Sequence, residues 1–318
     1  MKQSLFICIL FFSNILSQNV IGEELYGQDL IDYLVDNYKT NNTLGYNNAR
    51  DIMYEYIDIH GNNQLSCIYS GYTIVLDLTQ DPSTNAYEQG INCEHSWPQS
   101  LGSGSEPQKS DMHHLFPCKS NVNSSRGNDP YAEINDSSTD IWYRNDYSQS
   151  YVPSSYIEEY AEKYNPPNQN DERFEPRDEN KGNVARALIY FYTMYRDNAD
   201  QSFWNLQNDV LLLWSNADLP DGDEINRTNM IASYQDQKVN PFVVDISLSQ
   251  RAYAVTEPIM YGDTNGDGEI DVIDIVHIIN FILDIDTLNI NQQVASDANY
   301  DIVVDVLDVI ALVQRVLD

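Results

Sequence analysis

Positive charge is what this chain has least of. Its 318 residues hold 17 Lys and Arg against 49 Asp and Glu, a formal net charge of −32. Proteins that grip a nucleic-acid backbone over a wide surface carry basic patches. Broad electrostatic binding of DNA or RNA is therefore excluded, whereas contact through a few local cations is not. Cysteine is scarce too, at 4 residues, too few for a disulfide-built scaffold. Beyond the N-terminus no segment is apolar over the length that a bilayer requires, so the mature chain is expected to carry no membrane span. The spacing HExxH is missing, which removes a zinc-protease reading of His113 and His114.

What remains suits a secreted globular protein. The apolar fraction of 42% supports a packed core, and the length allows a main domain plus a smaller module. Met1-Lys2 followed by the apolar run Leu5–Phe12 reads as a signal peptide over residues 1–22, cleaved near Ser17 or Gly22. An uncleaved anchor is the alternative. If Cys8 leaves with the signal, Cys67, Cys93 and Cys118 remain. Cys93 and Cys118 flank the motif unit described below and are the expected pair, three free thiols being the rival.

Along the chain, Tyr26–Ile57 has helical spacing, and Cys67–Val75 is β-branched and aromatic, as a strand would be. Residues 98–110 read as a loop, and residues 119–180 as a polar stretch of long loops. Helices are expected over Val184–Tyr195, Phe203–Ser215 and Glu224–Tyr234. The main domain then closes by Phe242–Thr256.

The C-terminus is an internal repeat. One copy runs from Asp263 to Asp274 and the other from Asp297 to Asp308. Acids or amides stand at loop positions 1, 3, 5, 9 and 12, the oxygen spacing that a calcium loop needs. In the first copy these are Asp263, Asn265, Asp267, Asp271 and Asp274, with Glu269 offering a backbone carbonyl at position 7. In the second they are Asp297, Asn299, Asp301, Asp305 and Asp308, with Val303 at position 7. Each copy leads into an apolar helix. This pair resembles a type I dockerin, the calcium-dependent module that docks secreted enzymes onto cohesin domains. The resemblance implies two structural calcium ions and a cohesin-domain scaffold as partner. At position 6 of the second copy Ile302 replaces the usual Gly, and calcium there is expected to bind more weakly. Positions 10 and 11, Val272-Ile273 and Val306-Leu307, are more apolar than the common hydroxyl pairs, which leaves the partner open.

The chemistry of the main domain gathers between residues 92 and 128. Asn92-Cys93-Glu94-His95-Ser96-Trp97-Pro98 is followed by Asp111-Met112-His113-His114-Leu115-Phe116-Pro117 and Asn123-Ser124-Ser125-Arg126-Gly127-Asn128. A histidine can take a proton from water. One carboxylate and one amide suffice for Mg²⁺, which keeps several of its waters, and an arginine can clamp a phosphate. Adjacent strand residues point to opposite faces, so Glu94 and His95 can share a site only if the strand ends or twists there.

These blocks resemble the bacterial endonuclease I family of secreted nucleases, as do Phe174-Glu175-Pro176-Arg177-Asp178, Ala185-Arg186-Ala187, Arg227-Thr228-Asn229 and Asn240-Pro241-Phe242. The resemblance implies an α+β fold: a mostly helical nuclease domain over residues 25–256, built around a ββα-metal finger. A small all-α dockerin over 260–318 would follow. It implies His95 as general base, Glu94 and Asn123 as Mg²⁺ ligands, and 5′-phosphate products from DNA, with RNA as a second candidate substrate. Arg126 is the candidate phosphate contact, and His113 and His114 support the finger. Some members carry an arginine between the histidine strand and the second motif, where this chain has only Lys109. The rival reading is a nuclease fold without activity, recruited through its dockerin as a binding component.

Overall fold

The structure, a computed structural model, describes residues 20–256 and 258–317; the apolar run Leu5–Phe12 lies outside them. Helix α1 (Gly27–Tyr38) buries Leu30, Ile31 and Leu34 along one face. The helical spacing of Tyr26–Ile57 does not make one helix. The chain turns after α1, where Asp236 takes the amides of Asn41 and Asn42, and restarts beyond Gly45 at φ +77 as α2 (Tyr46–Ile52).

Strands β1 (Ile59–His60), β2 (Gln64–Ser66) and β3 (Thr73–Val75) form a small antiparallel sheet. The strand expected over Cys67–Val75 is therefore only its last three residues. Cys67–Gly71 is a turn closed by Gly71 N donating to Cys67 O. Gly71 has φ +70, a conformation that favours glycine, and a Cβ there would displace the Arg177 guanidinium, 1.9 Å away.

After α3 (Pro82–Glu88), capped by Asp81, come β4 (Ile91–His95), β5 (Leu115–Lys119) and α4 (Ser120–Arg126). β4 and β5 pair antiparallel, with Glu94 opposite Phe116 and His95 opposite Leu115. The long polar stretch that follows is not all loop. It builds a four-stranded sheet in the order β7-β6-β8-β9 from β6 (Ile141–Arg144), β7 (Tyr147–Gln149), β8 (Ala161–Tyr164) and β9 (Arg173–Glu175).

Helix α5 (Lys181–Met194) is buried along almost its whole length and is the axis of the main core. It packs against α1 and α7 (Asn208–Ala217), the latter preceded by α6 (Gln201–Asn205). Trp97, just beyond β4, stacks on Phe191 of α5 at 4.9 Å between ring centroids and so anchors the end of that strand in the core. Helices α8 (Gly222–Ala232), α9 (Pro241–Val244) and α10 (Leu248–Tyr253) complete this part.

The C-terminal part carries α11 (Val272–Ile282), α12 (Ile290–Ser296) and α13 (Val306–Leu317), with α11 packed on α13. Arg251 of α10 ties the two parts together. It donates to the carbonyls of Ile21 and Leu25, each at 3.1 Å, and lies over the Tyr300 ring at 5.0 Å. Tyr300 itself belongs to the second acidic loop.

Candidate active site

The β4–β5–α4 unit brings part of the expected set onto one face. Asn123, on the middle turn of α4, donates its amide NH₂ to Asn92 Oδ1 at 2.9 Å and Cys93 O at 3.2 Å. With both donors used on β4, its Oδ1 is left as an acceptor. Glu94 is 2% exposed. Its Oε1 accepts from the Tyr69 hydroxyl at 2.7 Å and lies 3.2 Å from Arg126 Nη1. Oε2 has no hydrogen-bond partner among the described residues. Asn92, Glu94, Asn123 and Arg126 thus share the α4 side of the hairpin.

His95 takes the other side, as strand alternation requires, but it is the last residue of β4. Its Nε2–H donates to Lys109 O at 3.0 Å, which fixes the tautomer and leaves the Nδ1 lone pair as the basic site. Among the described residues Gln99 Nε2 alone approaches that atom, at 3.4 Å. Tyr46 lies beside the imidazole, 5.2 Å between centroids, with His114 5.5 Å away on the same terms.

The charges respond to this packing. Burial pushes the Glu94 carboxyl up to about 7, against the lowering effect of Arg126 and the Tyr69 hydrogen bond. Burial, then His114, pushes His95 down to about 3, with Lys109 and Arg126 adding to the effect. The imidazole is therefore neutral at physiological pH and able to accept a proton. The field of Arg126 reaches both residues, although they emerge from opposite faces of β4. A buried carboxylate with one free oxygen and, on the same side of the hairpin, an amide whose oxygen is left as an acceptor are the donor types that a hard divalent cation takes.

Arg126 is 1% exposed. Besides Glu94 it donates to Ser96 O at 2.8 Å and lies over the Tyr131 ring at 4.7 Å. In this arrangement it braces the strand end and the Glu94 carboxylate, and does not face solvent. His113 and His114 are buried and donate from Nε2 to Lys238 O at 2.9 Å and Gln108 O at 2.6 Å. Asp111 lies between them and the core, accepting from Tyr190, Tyr195 and Gln235 at 2.9, 2.6 and 2.8 Å. Asp111 stands in the second block quoted from the sequence without an assigned role, whereas Tyr46, Tyr69 and Tyr131 are absent from the sequence-derived set. Only their distant partners identify them, and no local spacing marks them out.

The expected pairing of Cys93 with Cys118 is not found. Cys93 stands opposite Pro117 and Cys118 opposite Asn92, so the two thiols are one step out of register and on opposite faces. Cys118 Sγ lies 3.7 Å from Cys67 Sγ instead, and Cys67, Cys93 and Cys118 are all free thiols.

Both acidic loops have the same turn geometry. At positions 4 and 6, Gly266 and Gly268 of the first loop have φ +75 and +88, and Tyr300 and Ile302 of the second have φ +61 and +67. In the first loop Asp263 accepts from the amides of Gly266, Asp267 and Gly268, and Asp274 from those of Thr264, Asn265 and Asp271. In the second, Asp297 and Asp308 do the same with Asp301, Ile302, Ala298, Asn299 and Asp305. Burial and the facing Asp308 push Asp297 up to about 7, and burial pushes Asp308 up to about 6. Two buried carboxyls that repel each other around a turn are what a calcium ion would neutralise.

Comparison with known proteins agrees with this division. The model of the family described as Endonuclease I matches residues 27–246, and that of the dockerin type I domain matches 261–317. Over 169 residues the chain is 32% identical to the extracellular ribonuclease of Bacillus subtilis (strain 168), covering 48% of this chain and 50% of that protein. Over 190 residues it is 28% identical to the extracellular ribonuclease of Bacillus amyloliquefaciens, covering 54% and 57%. The chain spans about half the length of the curated relatives it matches.

Proposed function

The chain belongs to the endonuclease I family and carries a type I dockerin, and from that footing we propose that it is a secreted, metal-dependent nuclease that hydrolyses phosphodiester bonds with little sequence preference. The β4–β5–α4 unit serves as its ββα-metal finger. The observation that carries the reading is the fixed tautomer of His95, whose Nε2–H is committed to Lys109 O, at the end of the strand that also bears Glu94.

In this mechanism the neutral His95 removes a proton from water at Nδ1 as the water oxygen attacks phosphorus. The P–O3′ bond breaks and the departing O3′ takes a proton from solvent water, giving a 5′-phosphate and a 3′-hydroxyl. A divalent cation, Mg²⁺ on this reading, would be held by Glu94 and the Asn123 amide oxygen and would neutralise charge on the phosphate and the departing oxygen. Arg126 keeps the Glu94 carboxylate aimed and ionised and acts as a positioning residue. Phosphate contacts carry no base information, in keeping with low sequence preference. The relatives named above are ribonucleases, so RNA stands beside DNA as substrate. The two C-terminal loops bind calcium, and the dockerin that they fold tethers the enzyme to a cohesin-bearing scaffold outside the cell.

The test is cleavage of supercoiled plasmid and of a structured RNA by the mature protein with Mg²⁺, with EDTA, and with His95→Ala. Cleavage that needs both the metal and His95 is expected. A folded wild-type protein that cleaves neither substrate would overturn the nuclease reading in favour of a recruited binding component.

A further inference from the structure

One ring beside the proposed base carries two cations. The Arg50 guanidinium lies 4.7 Å from the Tyr46 centroid and the Lys109 ammonium 5.3 Å from it. That ring is the neighbour of His95 at 5.2 Å. Lys109 is tied to the base a second time, since its carbonyl holds His95 Nε2–H.

Carboxylates are abundant in this chain, and most guanidinium groups are neutralised by one: Arg126 by Glu94, Arg144 by Glu159, Arg186 by Glu224, Arg227 by Asp58 and Arg251 by Asp245. Arg50 and Lys109 have no carboxylate within ion-pairing distance among the described residues. Arg50 donates from Nη2 to Asn47 Oδ1 at 3.0 Å, and its Nε is buried without a hydrogen-bond partner. The nearby Asp81 is engaged as the cap of α3 through Thr84 N. Two like charges held over one ring repel each other, and an anion between them would relieve that repulsion.

We propose that Arg50 and Lys109 form the phosphate clamp of this enzyme, binding the nucleic-acid backbone next to the bond that is cut. This rests on the nuclease reading. Arg126, the candidate from the sequence, is enclosed and committed to Glu94. Arg50 comes from α2, a part of the chain that precedes β4, and Lys109 from the segment between β4 and β5. Tyr46 spaces the two cations and packs them against the base, so that a phosphate bound there is presented to His95.

The test uses full-length protein with calcium present. Binding of a short labelled single-stranded oligodeoxynucleotide is followed by fluorescence anisotropy in a His95→Ala background, so that no turnover is needed. Arg50→Gln and Lys109→Gln should each weaken binding and make the slope of log K against log [salt] shallower by about 0.7, the loss of one phosphate contact on a single strand. Arg50→Lys should restore the slope. Lys109→Gln keeps the carbonyl that orients His95, so in the active enzyme it should raise KM with kcat largely kept. Unchanged salt slopes in both variants, with native melting curves, would overturn the clamp. If Arg50→Gln does not fold, Lys109→Gln and Arg50→Lys decide. A wild-type protein that binds through these cations but never cleaves would refute the nuclease reading and keep the clamp. Cleavage with unaltered slopes would do the reverse.

Discussion

Replacing Tyr69 by Phe tests whether Glu94 is held ready for a metal ion. The Tyr69 hydroxyl donates to Glu94 Oε1 at 2.7 Å, beside Arg126 at 3.2 Å. Its ring is buried and packs on Phe174 at 4.8 Å, so Phe keeps the volume and the aromatic contact and removes the donor to Glu94 together with the hydroxyl's contact to the Tyr131 hydroxyl. Burial already pushes Glu94 up to about 7. A hydrogen bond to a charged group is worth about 1.5–3 kcal/mol, and its loss favours the protonated acid by about ten- to a hundredfold. A divalent ion must displace that proton to bind, and outer-shell partners of metal ligands are worth a similar factor. The Mg²⁺ concentration for half-maximal cleavage should therefore rise about ten- to a hundredfold, while the rate at saturating Mg²⁺ falls much less. The assay is a Mg²⁺ titration of initial cleavage rates, with circular dichroism as a check on folding. An unaltered Mg²⁺ requirement in a folded variant would refute the idea that this hydroxyl prepares Glu94 for the metal.

Two other perturbations have a defined sign. Glu162 of β8 stands opposite Glu175 of β9, and burial followed by the Glu175 charge pushes it up to about 8 from an ordinary 4.5. Burial also pushes Glu175 up to about 7, against the lowering effect of Lys181 at 2.7 Å, so of the two Glu162 holds its proton to the higher pH. The stability that Glu162 lends is full below about pH 4.5 and is lost as pH climbs through about 8. The melting temperature should fall across that window and fall less in Glu162→Gln; parallel pH profiles by calorimetry would refute this. In the first acidic loop, the proposed calcium site, Gly268 has φ +88, and a Cβ added there meets nothing within 4 Å, so Gly268→Ala costs backbone strain alone. That strain is about 1–2 kcal/mol, or about five- to thirtyfold weaker calcium binding by isothermal titration. Unchanged affinity would show that the left-handed turn is not needed to hold the ion.

Residues that announce themselves by chemistry and short spacing were legible. Glu94, His95 and Asn123 lie within one hairpin and the helix after it, so local order carries most of their geometry. The acidic loops were legible as turns for the same reason, since each set of acids and amides falls within twelve residues. The long buried α5 was legible from its apolar run, whereas the sheet of β6 to β9 was not. Its strands are three or four residues long, too short for alternation to stand out from the surrounding Asn, Asp and Ser. The role of Tyr69 was hidden because its partner is 25 positions away. Cys118 was misread because flanking a motif in sequence says nothing about which face of a strand a thiol takes, and the turn that brings Cys67 to it is set by Gly71. Arg126 shows a competition that its residue type conceals. Its type suits a phosphate, but in the fold it lies against the buried Glu94 carboxylate, which needs a counter-charge.

This last competition bears on how so acidic a chain could act on a polyanion. With a net charge of −32, long-range forces oppose substrate approach, and the arginines bound to Glu94, Glu224, Asp58 and Asp245 cannot offset this because each is neutralised inside the fold. Among the cations without a carboxylate partner in the described residues, Arg50 and Lys109 at Tyr46 are the pair beside His95. Contacts made equally in ground and transition states lower KM without raising kcat, so weak general affinity does not itself limit turnover once substrate is at hand. A dockerin tether would supply that proximity by raising local concentration without adding any contact. On this view the acidity belongs with the tether: the main domain is free to bind its substrate loosely because a separate module decides where it works.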